Sequence, residues 1–155
     1  MEFRDLIMRL TQGIVAGDGT AAASCFSDDG VYHDVFYGAF AKVDITRMVS
    51  DYFHRDASNF IWDIHEPVCD GRTGYARYVF SYDSRLAEAQ GRRALFEGVA
   101  ICQLRDGLLT SYHEVANAAP GLATLGFEPA RLNKIVERQA RELAARAEAA
   151  HHRVS

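Results

Sequence analysis

The sequence predicts an α+β domain: a mostly antiparallel sheet with helices gathered to one side of it. Three features point there. Apolar residues in the first third recur at helical spacing, whereas from Asn59 to Ala116 the chain runs in segments rich in aromatic and β-branched residues. Asp106-Gly107 separates two of those segments, and Asp-Gly suits the two-residue turn of an antiparallel hairpin. A length of 155 residues fits one domain and is too short for two ordinary ones.

Each element has its own signal. Phe3, Leu6, Ile7, Leu10 and Ile14 form one face of an amphipathic first helix, ended near Gly17-Asp18-Gly19. Alanine-rich Thr20 to Phe26 predicts a second, short helix. An acidic turn follows at Asp28-Asp29-Gly30, and a strand runs from Val31 to Tyr37. Gly38 breaks that pattern. Asp44 is placed to cap a third helix, whose apolar residues Ile45, Met48, Val49, Tyr52 and Phe53 lie at helical spacing.

Strands are then expected at 60–65, 75–82, 93–104 and 108–116. Turns at Asp70-Gly71, around Gln90-Gly91 and at Asp106-Gly107 separate them. After Pro120 the chain turns through Gly121 and Gly126. A final helix begins at Pro129 and runs toward Arg146, with Leu132, Ile135, Val136 and Leu143 along one side and alternating charges on the other.

Composition excludes several classes. The chain is 48% hydrophobic and 25% charged, as a globular rather than a disordered protein is. A net charge of -4 gives no general attraction to nucleic acid or an acidic membrane. The basic pair Arg92-Arg93 and the mixed-charge C-terminal run lack the interleaved aromatics of a strand-binding groove. No apolar run is long enough to span a bilayer, and Met-Glu-Phe-Arg-Asp does not open a signal peptide, so a cytoplasmic location is expected. Cys25, Cys69 and Cys102 have no metal-ligand spacing and fit small apolar roles in a reducing compartment. His151-His152 reads as part of a frayed tail. Neither metal nor cofactor is expected.

The chemistry-bearing candidate is the first strand. Side chains alternate faces along a strand, so Tyr32 and Asp34 point the same way. An acid among apolar neighbours is costly to bury unless it has a use, and there its pKa is tunable, as a general base requires.

Beyond these readings, Phe26-Ser27-Asp28-Asp29-Gly30-Val31-Tyr32-His33-Asp34, then Gly38 leading into the third helix, then 98–108 and Tyr112-His113-Glu114-Val115 together form a pattern. In this order and at this length the chain resembles the nuclear transport factor 2-like superfamily, in particular its SnoaL-like branch, over roughly residues 3–117. The resemblance implies a strongly curved, cone-shaped sheet, with three N-terminal helices closing it around an apolar cavity. It implies a SnoaL-like domain over 1–128. Residues 129–155 would then form a C-terminal helix and tail, packed on that domain or on a partner subunit, and a homodimer is expected. Members include ketosteroid isomerases, polyketide cyclases, dehydratases, lyases and epoxide hydrolases, besides non-catalytic binding modules and enzyme subunits.

Residue by residue, Asp34 falls where the isomerases carry their proton-abstracting carboxylate and where the epoxide hydrolases carry an asparagine. Tyr32 matches a tyrosine of those hydrolases. Glu114 falls on the last strand where hydrolases and cyclases carry a catalytic Asp, and Tyr112 matches an inward aromatic. There are departures. Arg77 lacks the partnering carboxylate of the hydrolases, and Ala100 or Cys102 stands where the isomerases keep a protonated second acid.

If Asp34 and Glu114 share a cavity, one should keep its proton near neutral pH, and the pair can act as base and acid. Tyr32 would join them in catalysis. Tyr112, Arg77, Trp62, His33 and His113 complete the expected substrate-binding set. Alternation nevertheless sends both histidines to the face opposite the acids unless a bulge intervenes. The reactions implied are isomerisation, cyclisation, dehydration or elimination on a small hydrophobic oxygenated ring compound. A binding module without catalysis and an epoxide hydrolase are the alternatives.

Overall fold

The structure is a computed structural model, and it describes residues 1–89 and 91–153. Helix α1 (Phe3–Ala16) buries Phe3, Leu6, Ile7, Leu10 and Ile14, the five residues of the predicted stripe. Fully burying such side chains is worth about 1.5–3 kcal/mol each. Gly17 ends the helix in the left-handed region at φ 77°, where a residue without Cβ is unstrained. Asp18 caps α2 (Gly19–Ala23), its carboxylate accepting from the Ala21 N–H at 2.8 Å.

The first strand departs from expectation at both ends. Strand β1 (Phe26–Asp34) begins where the second helix was expected to end. The acidic pair Asp28-Asp29 lies inside it, in a register irregularity between Phe26 and Val31, with the carboxylates turned out to Lys42 and Arg105. A bulge absorbs the residues that sequence reads as a turn. At the far end β1 stops at Asp34 rather than Tyr37, because Asp34 Oδ1 accepts from the N–H groups of Phe36 and Tyr37 at 2.8 and 2.9 Å and turns the chain. Gly38, at φ 90°, then starts a short return strand β2 (Gly38–Ala41) antiparallel to β1.

The third helix is composite. It comprises α3 (Ile45–Met48), a π-helical turn over Val49–Phe53 and α4 (His54–Asp56). Asp44 makes no side-chain cap; its carboxylate pairs with Arg47 at 3.2 Å instead. Four long strands follow: β3 (Ala57–Cys69), β4 (Thr73–Ser84), β5 (Arg93–Arg105) and β6 (Leu108–Ala116). The β5–β6 turn places Asp106 and Gly107 at φ 53° and 76°, the left-handed pair that the Asp-Gly sequence anticipates. Gln90 of the predicted β4–β5 turn lies outside the described residues.

The sheet is mixed, curved and open, in the order β2-β1-β6-β5-β4-β3. All neighbours are antiparallel except β1 and β6, which run parallel. Helix α5 (Ala118–Thr124) occupies a segment read from sequence as a turn. Pro120 is in its first turn, where the missing N–H has no helical partner to lose. Gly121 leaves room for the Phe96 ring beside it. Helix α6 (Pro129–Ala145) starts at Pro129 as expected. Leu132 and Ile135 reach the core, while Val136 and Leu143 stay exposed.

Candidate active site

Inward positions of the sheet build an aromatic cavity. On β4 alternation turns Tyr78, Phe80 and Tyr82 to the concave side, and in register Phe80 stands between Trp62 of β3 and Phe96 of β5. Ring centroids of Trp62–Phe80 and Phe80–Phe96 lie 4.6 and 5.6 Å apart, and Phe60 stacks on Phe80 at 6.1 Å. Phe53 from the π-helical turn, with Phe36 and Tyr37 from the turn after β1, extends the wall. The cavity opens to solvent at its mouth, and its lining is mostly aromatic with a few converging polar groups, as small-molecule sites are.

Three acids line this cavity: Asp34, Asp56 and Glu114. Their environments differ. Asp56, at the end of α4, receives Arg55 Nε at 2.6 Å and the Tyr37 hydroxyl at 2.8 Å. The Arg55 hydrogen bond holds its carboxyl below the ordinary range. Asp34 has no cationic partner among the described residues. Burial pushes its carboxyl up, and the Tyr37 and Phe36 N–H groups resist that rise. Glu114 is pushed well above the ordinary range, by burial first and by the charge of Asp34 second. Tyr78 donates its hydroxyl to Glu114 Oε2.

Two such carboxyls side by side do not both ionise readily; the two N–H bonds to Asp34 Oδ1 favour its ionised form, which leaves Glu114 as the site for the remaining proton. The cavity thus contains one proton donor and one proton acceptor. Near Asp34, burial and the charges of Asp34 and Asp56 push the Tyr82 phenol up to about 12, so at neutral pH Tyr82 is a hydroxyl donor.

Among the residues singled out in sequence, Asp34, Glu114 and Trp62 line the cavity. Tyr32 and Tyr112 do not. They are fully buried one layer behind the acids, stacked at 4.6 Å with an interplanar angle of 13°. Their hydroxyls have no hydrogen-bond partner among the described residues. The parity of Tyr32 with Asp34 is as expected, but the turn at Asp34 carries the cavity past the ring. Arg77 is also outside: it is exposed on the opposite face of β4, with Nε 3.3 Å from Glu66. Strand alternation separates it from Tyr78, so the hydrolase-like arginine is not in this cavity. His33 and His113 lie on that outer side too. His113 is lowered by burial, His33 and Arg146, and neither histidine reaches the acids' cavity.

Five polar residues of the site were not singled out: Tyr37, Asp56, Tyr78, Tyr82 and Ser84. The Tyr78-Phe80-Tyr82 alternation was available in the sequence, since Tyr and Phe at every second position mark one strand face. Tyr37 and Asp56 carry no such signal, because a turn and a helix end bring them together.

Comparison with known proteins agrees with this architecture. The sequence profile of the SnoaL-like domain matches residues 7–112. No curated protein matches the sequence. Solved structures do. A hypothetical protein from Catenulispora acidiphila with a ketosteroid isomerase-like fold, solved with trimethylamine, is similar at TM-score 0.69 and 15% identity, over 79% of this chain and 93% of that one. IdmH, a proposed polyketide cyclase from Streptomyces antibioticus, is similar at TM-score 0.63 and 16% identity, over 80% and 98%. An epoxide hydrolase of the LEH-like type from M. tuberculosis is similar at TM-score 0.59 and 15% identity, over 78% and 86%. Identities this low speak to the fold and not to the reaction. With the profile spanning most of the chain and the cone-like sheet in place, this protein belongs to the SnoaL-like domain family, of the nuclear transport factor 2-like fold.

Proposed function

We propose that this SnoaL-like domain is a cofactor-independent enzyme that moves a proton on a small, apolar, oxygenated cyclic or aromatic compound. One observation carries the reading: Asp34 and Glu114 line one aromatic cavity, neither has a cationic partner among the described residues, and burial pushes both carboxyls up. Asp34, its Oδ1 fixed by two backbone N–H groups, takes the proton from a carbon beside a carbonyl through Oδ2. Glu114, oriented by Tyr78, donates its proton toward the carbonyl oxygen as charge develops there. Return of the proton to a second carbon gives isomerisation; expulsion of a leaving group gives elimination; attack on a second carbonyl gives ring closure. The similarity to a proposed polyketide cyclase is in line with the last of these.

The epoxide hydrolase alternative has less support, since Arg77 is outside the cavity. The same proposal includes a second copy of the chain as partner, through the outer face of the sheet.

The test is carbon–hydrogen exchange. A panel of cyclic ketones incubated with the protein in D2O should take up deuterium beside the carbonyl, followed by NMR. Asp34→Asn should slow uptake by about a hundredfold or more. Full exchange in a folded Asp34→Asn variant removes Asp34 from the chemistry. No exchange across the panel leaves a binding module as the better reading.

A further inference from the structure

The charges lining the cavity are one-sided. Its sixteen lining residues include Asp34, Asp56 and Glu114 but no lysine, arginine or histidine. Arg55 neutralises Asp56 from outside the lining. With Glu114 protonated, one negative charge, that of Asp34, remains without a counter-ion in a low-dielectric space. The rest of the wall does nothing to offset it, since eight of the sixteen lining residues are aromatic and ring faces carry partial negative charge. Asp34 Oδ1 is committed to the turn, whereas Oδ2 has no hydrogen-bond partner among the described residues.

The polar groups are also sorted by position. Burial raises the Tyr37 and Tyr82 phenols, and both lie close enough to Asp34 and Asp56 for the two acids to raise them further; Tyr37 also donates to Asp56, so these groups gather on the Asp34 side of the cavity. Glu114 is the neighbour of Asp34 across the β1–β6 seam, two residues beyond the Tyr32–Tyr112 pair, and its Tyr78 bond and Trp62 lie on the side away from Tyr37 and Asp56.

We infer that the cavity selects a ring compound carrying a protonated amine, its ammonium group seated on the Asp34–Tyr82 side against the aromatic wall and its oxygen turned toward Glu114. This deepens the proposed function and rests on its cavity: the oxygenated substrate is an amine as well. The cation supplies the charge that Asp34 lacks. Attached near the reacting carbon, it also acidifies the C–H that Asp34 removes.

Trp62, the single tryptophan of the chain, lines the cavity and reports binding by fluorescence. Benzyltrimethylammonium and neopentylbenzene share one shape and differ by the charge on one atom. Titrated at pH 8, the cation should bind about tenfold tighter or more, as ring faces and a carboxylate together favour a cation. Its affinity should fall on acidification as Asp34 takes up a proton, while that of the hydrocarbon stays level. In Asp34→Asn the preference should collapse to within about twofold, the charge having gone. Equal or tighter binding of the hydrocarbon, no binding of the cation, or a preference that survives in Asp34→Asn overturns the inference. Deuterium exchange into neutral ketones is read separately. Exchange without cation preference leaves the proton-transfer reading standing alone, and cation preference without exchange leaves an amine-binding module.

Discussion

The carboxyl of Asp34 holds the turn after β1 through Oδ1, so replacing it changes shape as well as charge. Asn keeps an acceptor for both N–H groups, which is why it is the variant to use; Ala would release the turn and two cavity residues with it. Glu114 makes the clearest pH prediction. Its folded pKa is raised, so the folded state binds more protons than the unfolded one above the ordinary carboxylate range. The favourable contribution is thus present at acid pH and is lost as pH rises through the raised value. Each unit of that rise costs about 1.4 kcal/mol once the group ionises. Glu114→Gln should therefore differ little from the parent near pH 4 and gain on it as pH rises above the ordinary carboxylate range, levelling off once the folded carboxyl ionises, measured by denaturant melts. A gap that narrows or reverses with rising pH would contradict the assignment. Tyr78→Phe acts the other way on activity: loss of a donor to the ionised form should carry the alkaline limb of the rate profile to higher pH. At this scale Asp34 was legible as an acid among apolar strand residues. The Tyr37–Asp56 bond was not, because its partners meet only through tertiary structure.

Element lengths and glycines set how these side chains are delivered. Gly98 of β5 lies beneath the Tyr78 ring, and a Cβ there would stand 2.5 Å from the Tyr78 hydroxyl and 2.8 Å from the Val115 carbonyl oxygen. That absent methyl lets Tyr78 lie flat and reach Glu114 one strand further on. Gly98→Ala should cost about 1–3 kcal/mol through overpacking and displace Tyr78 from Glu114. Denaturation measures the first effect, and the alkaline limb of the rate profile the second. An Ala variant with both unchanged would show that the close approach does no such work. The long strands, the first helix and the Asp106-Gly107 turn were readable because periodicity and turn chemistry there are local. The short elements were not. Strand β2 and helix α5 have four and seven residues, and each is held by what it packs on: β1 for one, the Phe96 ring for the other.

Across the molecule, the two sides of the sheet have different uses. The concave side is core and cavity, while the outer side exposes Ile61, Leu95, Val99 and Val115 on β3, β5 and β6. Val115 is 61% exposed and pairs in register with Val99, the kind of exposed apolar surface a partner covers. The second copy proposed above would cover it. Val115→Glu should then convert a dimer to a monomer by light scattering at micromolar concentration, and a parent protein already monomeric there would end that proposal. The curved sheet and its helical cover were foreseeable because helical and strand periodicities are segregated along the chain. The parallel seam between β1 and β6 was not, since no local sequence feature records which distant strands pair. That seam has a consequence in time. Asp34 is on one side of it and Glu114 on the other, with almost the entire sheet between them in sequence. During synthesis Asp34 is made early and Glu114 late, and the two cannot meet until the long loop between their strands has closed, the slow kind of step in folding. A chain caught short of that closure, even with α1 and the β3–β5 meander formed, has not yet assembled the acid pair, so the proposed chemistry would begin only with the finished fold.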